Sequence, residues 1–282
     1  MEQTWDCHVH CFDPARFPFK DSRSYTPVPA TLDTLVRSVR SPNLVITQAT
    51  IEDGVSGIQD ALERAQMSPE LNIVRGTIMA SHLRDLDAQS FRELHAVGVR
   101  CVRIHGTHGG AGDDLDWITQ QFRLAATSIG VRNYGWHISA QLPLQSWASL
   151  GPCLSELNHV TILVDHNASA CPSDLDSPAF AAFLELLGVN NLVVKIGALH
   201  RRSLRDVEAM REVVQAFVAK ASDRVLFGSD WPHVNASRGG AGPTPHVRDV
   251  DTATELSLLR TWVSEEQWNK IMSGNPDRLF AN

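Results

Sequence analysis

Eight short runs of β-branched and apolar residues recur along this chain at intervals of about 30 residues, and an amphipathic segment follows each run. The runs are residues 4–12, 43–50, 72–79, 99–105, 134–142, 159–166, 191–198 and 224–230. Between them, apolar positions repeat every three or four residues, the period of a helix that packs on one face. This alternation predicts an α/β fold, a single (β/α)8 TIM barrel that occupies residues 1–282 as one domain.

An open, doubly wound sheet is the competing fold for such alternation. It lacks support because no strand is followed by the Gly-x-Gly-x-x-Gly turn that binds dinucleotides. The longest loops are residues 14–30, 106–114 and 235–251, and all three follow strands. In a barrel they belong at the C-terminal mouth, where active sites form. The glycine-rich loop 106–114 lacks the Gly-Lys-Ser/Thr ending of a phosphate loop, so we interpret it as a mobile loop.

Charge and cysteine content limit the partners and the compartment. The 282 residues carry 25 Lys and Arg against 32 Asp and Glu, a net charge of −7, which argues against a nucleic acid or a membrane as partner. No apolar run approaches the ~18 residues that cross a bilayer, and a strand that begins near Trp5 leaves no room for a leader peptide. Five cysteines without a Cys-x-x-Cys pair indicate a reducing compartment. We expect a cytoplasmic protein with a small-molecule substrate; the sequence does not predict its oligomeric state.

The first strand contains two histidines one residue apart. Because the side chains of a strand alternate, Asp6, His8 and His10 are expected to share the face that points into the barrel. Cys7 and Val9 are then expected to face the helices. Two imidazoles at this spacing lie about 6–7 Å apart and can reach one metal ion. Alternatively, both form ordinary hydrogen bonds at a strand end.

Ionisable side chains also stand at the ends of the sixth and eighth strands, namely His166, Asp230 and His233. The first and eighth strands are neighbours in a closed barrel, so His8, His10 and Asp230 can converge. Histidines and a carboxylate that converge in a concave site predict a metal centre or a hydrolytic site.

Four segments, "DCHVHCFDPARFPF", "VDH", "RVLFGSDWPH" and "GNPDRLF", resemble the amidohydrolase superfamily. The resemblance covers nearly the whole chain and is closest to the branch with 2-pyrone-4,6-dicarboxylate lactonase and related sugar-lactone and muconolactone hydrolases. It implies a (β/α)8 barrel and hydrolysis of a ring ester, with catalytic groups at His8, His10, His166 and Asp230. In that branch Asp230 is the implied general base, which takes a proton from the attacking water. The histidines, or a metal that they hold, then polarise the carbonyl group.

The chain departs from metal-dependent members of the superfamily at the end of strand five, where Gln141 stands in place of a histidine. A neutral amide is a poor zinc ligand, so a two-metal centre is not expected. Two alternatives stay open. Either one Zn or Mn ion is held by His8, His10, His166 and Asp230, or no metal is present and these groups bind the substrate.

The resemblance also implies contacts with a charged substrate. Arg103 matches one of the arginines that surround a dianionic lactone, and Arg201 or Arg202 is placed to supply a second. Two further expected arginines are absent, which favours a lactone with one carboxylate or none. The other predicted substrate contacts are Tyr25, Thr50, Gln141, Lys195 and His233.

The leading hypothesis is therefore an enzyme, a hydrolase that opens a small carboxylated lactone with water activated by Asp230. A metal-dependent decarboxylase of an aromatic or unsaturated acid, from the same superfamily, is the alternative. A barrel that binds a ligand without catalysis is the third hypothesis, which the missing strand-five histidine and arginines support.

Overall fold

Eight parallel strands form the centre of the protein, and each strand pairs with the next one in the barrel. The computed structural model describes residues 3–106, 114–189, 191–236, 242–247 and 250–282. The barrel strands are β1 Trp5–Val9, β2 Asn43–Thr47, β3 Ile73–Met79, β4 Val99–His105, β5 His137–Gln141, β6 Ile162–Val164, β7 Leu192–Ile196 and β8 Val225–Phe227. Each lies within one of the eight predicted runs, so the strand prediction is confirmed.

The barrel closes where β1 meets the chain that leaves β8. The Asp230 N–H donates to the His8 carbonyl oxygen at 2.8 Å, and the His10 N–H donates to the Trp231 carbonyl oxygen at 2.8 Å. These bonds join the first and last strands of the sheet, as a (β/α)8 barrel requires. The predicted fold class is confirmed, while the assignment of residues 1–282 to one domain stays a prediction.

Helices follow the strands and pack on the outside of the barrel. The α-helices are α1 Leu32–Ser38, α2 Ser56–Ala65, α3 Ala88–Ala96, α4 Leu115–Thr127, α5 Ile129–Tyr134, α6 Leu144–Ser149, α7 Gly151–Glu156, α8 Pro178–Val189, α9 Arg211–Ala221, α10 Thr252–Trp262, α11 Glu265–Asn269 and α12 Asn275–Phe280. Within the described ranges, no helix is both long enough and apolar enough to cross a membrane.

Buried apolar side chains form two clusters. The larger cluster lies between the strands and the helices. The inner cluster consists of Trp5, Cys7, Val45, Cys101, Leu163, Val193, Leu226 and Phe280. These residues fill the interior of the barrel below its C-terminal mouth. We call this inner cluster the apolar floor of the mouth.

A β-bulge in β1 changes which side chains point inward. Between Asp6 and Val9, β1 advances three residues while the paired strand β2 advances two. Cys7 consequently packs in the inner cluster, and His8 beside it also points inward. Asp6 points away and accepts a hydrogen bond from the Ser229 N–H at 2.9 Å. The expectation that Asp6 faces inward and Cys7 outward is therefore wrong, because strict alternation holds only for a regular strand.

The first and last long loops meet at the mouth. Thr26–Pro27 pairs with Pro243–Thr244 as two short parallel strands. This pairing connects the loop after β1 with the loop after β8. Of the predicted loop 106–114, residues 107–113 lie outside the described residues.

The inner cluster predicts a difference in stability between two leucines. Leu226→Ala is expected to lower the free energy of unfolding by roughly 2–5 kcal/mol, because it leaves a cavity where no side-chain surface is exposed. Leu204→Ala is the control: this residue is 63% exposed, and the expected change is within about 0.5 kcal/mol. Denaturant unfolding measures both values, and equal losses would contradict the placement of Leu226 in the floor.

Candidate active site

Four side chains converge at the mouth around one carboxylate oxygen. Asp230 Oδ1 lies 3.2 Å from His10 Nε2, 3.7 Å from His166 Nε2 and 3.8 Å from His8 Nε2. All four residues are buried. The structure thus brings together the residues that the sequence places at the ends of strands one, six and eight.

Two glycines allow the ends of β7, β8 and β1 to approach this closely. A Cβ atom on Gly228 would lie 2.7 Å from the His8 Cβ. A Cβ atom on Gly197, which has φ +118°, would lie 2.4 Å from the Gly228 carbonyl oxygen. Because these residues have no side chain, the backbone after β8 can pass next to His8. Asp230, two residues after Gly228, then lies among the three imidazoles.

Left-handed backbone conformations concentrate at the ends of β6, β7 and β8. Apart from glycines, the described residues with positive φ are His166, Asn167, Ala168, Ser169, Ala198, Asp230 and His233. Such conformations cost roughly 1–2 kcal/mol per residue and often mark functional sites. Because the turn begins at His166, with φ 50°, both Asp165 and His166 point toward the site. Sequence reasoning missed Asp165, since alternation assigns neighbouring residues to opposite faces.

Asp165 forms a second buried anionic group behind His8. It accepts hydrogen bonds from Arg103 Nε and Ser139 Oγ, both at 2.8 Å, and lies 3.0 Å from Lys195 Nζ. Its Oδ1 is 3.5 Å from His8 Nδ1. Burial acts to raise the pKa of Asp165, but Lys195 and the other neighbours outweigh burial and hold the pKa well below its ordinary value. Asp165 is therefore ionised and orients His8.

The imidazoles of His8 and His166 are neutral at pH 7. Burial lowers the pKa of His8 to about 3 and that of His166 well below its ordinary value. The ring of His8 lies between the two carboxylates, with Nδ1 3.5 Å from Asp165 Oδ1 and Nε2 3.8 Å from Asp230 Oδ1. His10 Nδ1 donates to the Thr47 carbonyl oxygen at 2.6 Å, which directs Nε2 toward Asp230.

These groups fit a divalent cation. Ligand atoms of His8, His166 and Asp230 all lie within 4.8 Å of one another. Among the described residues, neither ring nitrogen of His8 has a hydrogen-bond partner, and Nε2 faces the Asp230 carboxylate. Imidazole nitrogens with a carboxylate oxygen are ligands that zinc and similar ions accept. The Nδ1 contacts of His8 and His10 are the kind that orient metal-binding histidines.

Arg201 fixes the other oxygen of Asp230. Its Nε donates to Asp230 Oδ2, and its Nη1 and Nη2 donate to the Val234 carbonyl oxygen at 3.2 Å. Burial acts to raise the pKa of Asp230, but Arg201 and two adjacent imidazoles outweigh burial and hold it well below its ordinary value. Arg202 instead lies beside Cys171. Of the two candidate arginines, Arg201 is therefore the one that reaches the site.

A cavity at the mouth is lined by five of the predicted substrate contacts, namely Arg103, Tyr25, Thr50, Gln141 and Arg201. The Gln141 Oε1 accepts a hydrogen bond from Arg103 Nη2 at 2.7 Å. His105, at the end of β4, lines the same cavity and was not predicted as a site residue, although it shares the inward parity of Arg103.

Two predicted substrate contacts lie away from this cavity. Lys195 is buried next to Asp165, and the Nε2 of His233 lies 3.1 Å from Thr252 Oγ1. Lys195 therefore contacts Asp165 rather than the cavity, and a direct contact of either residue with the substrate stays a prediction.

The close approach of β8 and β1 predicts a cost for any side chain at Gly228. Gly228→Ala is expected to lower the free energy of unfolding by roughly 1–3 kcal/mol, because the new methyl group displaces His8. Gly274→Ala is the matched control, because a Cβ there would lie 3.9 Å from its nearest neighbour, and we expect stability to be unchanged or higher. Thermal and denaturant unfolding measure both. A Gly228→Ala protein as stable as the control would contradict the close packing of Gly228 against His8.

Two curated relatives of the chain are named as hydrolases. The chain is 26% identical over 287 residues to a 4-sulfomuconolactone hydrolase of Hydrogenophaga intermedia, with 99% of this chain and 88% of the relative covered. It is 28% identical over 292 residues to a 2-pyrone-4,6-dicarboxylate hydrolase of Comamonas testosteroni, with 98% and 89% covered.

The fold also matches a solved structure described as a probable 2-pyrone-4,6-dicarboxylic acid hydrolase of Acinetobacter baumannii with citric acid bound. The TM-score is 0.76 at 19% identity, with both chains fully covered. At this identity the likeness shows the fold alone. The family model for amidohydrolases matches residues 5–281. This chain therefore belongs to the amidohydrolase family.

Proposed function

We propose that this protein hydrolyses a small lactone that carries one carboxylate, with Asp230 as the base that activates water. The observation that carries this proposal is the position of Asp230 Oδ1 among three imidazole Nε2 atoms at the barrel mouth. The names of the two relatives, both hydrolases of ring esters, support the same reaction class. The contact with Arg201 keeps the Asp230 carboxylate ionised at neutral pH, which is the form that a general base requires.

In the proposed reaction, the Asp230 carboxylate takes a proton from water while the water oxygen forms a bond to the ring carbonyl carbon. Electrons of the carbonyl double bond move onto its oxygen and return as the ring C–O bond breaks. The leaving oxygen receives the proton that Asp230 accepted. The products are a carboxylic acid group and a hydroxyl group, and Asp230 is regenerated.

The donor set favours one divalent cation, zinc or manganese, held by His8, His166 and Asp230 with His10 beside them. Such an ion, when bound, polarises the carbonyl group and lowers the pKa of the attacking water. We do not expect a second ion, because the end of β5 offers Gln141, a neutral amide and a poor zinc ligand, whose oxygen accepts from Arg103.

Charge in the site favours an anionic substrate. Two carboxylates, Asp165 and Asp230, are surrounded by three cations, Arg103, Lys195 and Arg201. One positive charge is therefore in excess before a metal ion is counted. Arg103 lines the cavity, and its Nη1 has no hydrogen-bond partner among the described residues, so it is the group that we assign to the substrate carboxylate.

Replacement of the base tests the proposal. Asp230→Asn is expected to lower kcat by about 10²- to 10⁴-fold on a panel of carboxylated five- and six-membered lactones, because the amide cannot accept the proton. Asp223→Asn, at an exposed aspartate just before β8, is the matched control and is expected to keep full activity. Full activity in Asp230→Asn would contradict the mechanism. Release of carbon dioxide in place of a new carboxylate would favour the decarboxylase alternative.

Metal content is the second test. We expect elemental analysis of the purified protein to find about one equivalent of zinc or manganese, and a chelator to abolish activity until the metal is returned. His8→Ala is expected to lower metal content, because it removes a ligand that faces Asp230. Full activity in metal-free protein would contradict the metal part of the proposal and assign the imidazoles to direct substrate binding.

The role of Arg103 predicts a change that depends on substrate charge. Arg103→Lys is expected to raise KM for a carboxylated lactone by about tenfold, because an ammonium group cannot form the two parallel bonds of a guanidinium. The methyl ester of the same lactone is the matched neutral substrate, and its KM is expected to change by less than about threefold. Steady-state kinetics on both compounds provides the measurement, and equal changes would exclude a contact between Arg103 and the carboxylate.

A further inference from the structure

One turn of helix α10 contacts both chain segments that form the Arg201–Asp230 pair. Glu255 Oε1 accepts hydrogen bonds from His200, from Nδ1 at 3.0 Å and from the backbone N–H at 3.3 Å. Glu255 and His200 are both buried, at 4% and 5% exposure. The proposed mechanism assigns no role to the Glu255 carboxylate.

His200 is the residue before Arg201 in a short 3-10 turn, Leu199–Arg201. The turn follows Ala198, whose left-handed φ of 47° bends the chain sharply after β7. A turn of this length has few internal hydrogen bonds, so its position depends on external contacts. The two bonds to Glu255 provide such contacts next to the guanidinium that holds Asp230.

The Asp230 segment reaches the same helix through His233. The His233 N–H donates to the Asp230 carbonyl oxygen at 2.9 Å, and its Nε2 lies 3.1 Å from Thr252 Oγ1 at the start of α10. The rings of His233 and His200 meet edge to face, with centroids 5.1 Å apart. Helix α10 therefore contacts the segments on both sides of the ion pair.

From this arrangement we infer that Glu255 is a positioning residue for lactone hydrolysis. It holds His200, His200 places Arg201, and Arg201 sets the direction of the Asp230 carboxylate. Glu255 itself contacts neither Asp230 nor the cavity at the mouth in the described structure. The inference rests on the proposed role of Asp230 as the base.

The surroundings of Glu255 allow a conservative variant. Its Oε2 has no hydrogen-bond partner among the described residues, and the residue lines a separate cavity of ≈ 460 Å³. The amide nitrogen of glutamine fits in place of Oε2, while the retained oxygen still accepts from His200. Glu255→Gln should therefore preserve the contact, and Glu255→Ala should abolish it.

The first experiment compares these variants by steady-state kinetics on a carboxylated lactone. Glu255→Ala is expected to lower kcat by about 10- to 100-fold with KM changed less than threefold, since small displacements of a catalytic group cost this much. Glu255→Gln is expected to stay within about threefold of the unmodified protein. Leu259→Ala, a buried apolar residue one turn further along α10, controls for loosening of the helix. An equal loss of kcat in Leu259→Ala, or no rescue by glutamine, would overturn the inference.

A double-mutant cycle with Arg201 tests whether Glu255 affects catalysis through Arg201. If Glu255 acts through Arg201, adding Glu255→Ala to Arg201→Ala should lower kcat by less than about threefold further. A full additional loss would overturn the inference. A different result would contradict the proposed function, namely full activity of the Asp230→Asn protein. An inactive Asp230→Asn together with an unaffected Glu255→Ala overturns only the role of Glu255.

Discussion

The carboxylate of Asp230 lies at the seam where the barrel closes, and the rest of the site depends on it. The backbone N–H of the same residue donates to the His8 carbonyl oxygen and so joins β1 to the chain that follows β8. Its side chain gives one oxygen to Arg201 and directs the other toward three imidazoles. The same residue therefore takes part both in closing the barrel and in forming the candidate site.

The site contains features that a stable fold would otherwise avoid. Two buried carboxylates pack against three cations, of which Arg103 and Lys195 are also buried, and desolvation of these charges opposes folding unless they pair well. Several residues at the strand ends adopt left-handed conformations. The apolar floor formed by the inner cluster helps to keep water away from these groups, which strengthens each electrostatic contact between them. Apolar packing inside the barrel thus helps to stabilise the charged groups at its mouth.

Much of this arrangement follows from sequence periodicity. The eight apolar runs predict the strands, and their closed order places His8, His10, His166 and Asp230 at one mouth. Three features could not be predicted from the sequence and were seen only in the structure. They are the bulge that turns Cys7 inward, the left-handed turn that points both Asp165 and His166 toward the site, and the pairing of Arg201 with Asp230. The first two break the alternation on which the prediction depends, and the third depends on contacts between distant segments. Irregular backbone next to the site therefore limits sequence-based prediction most.

The measurement that tests the central claim most directly is hydrolysis of a carboxylated lactone in ¹⁸O-labelled water, with the products analysed by mass spectrometry. Attack of water on the ring carbonyl, with Asp230 as base, places one ¹⁸O atom in the newly formed carboxylate at each turnover. Label in the new hydroxyl group, or a product without label, would contradict the account, because water would then not have attacked the carbonyl carbon.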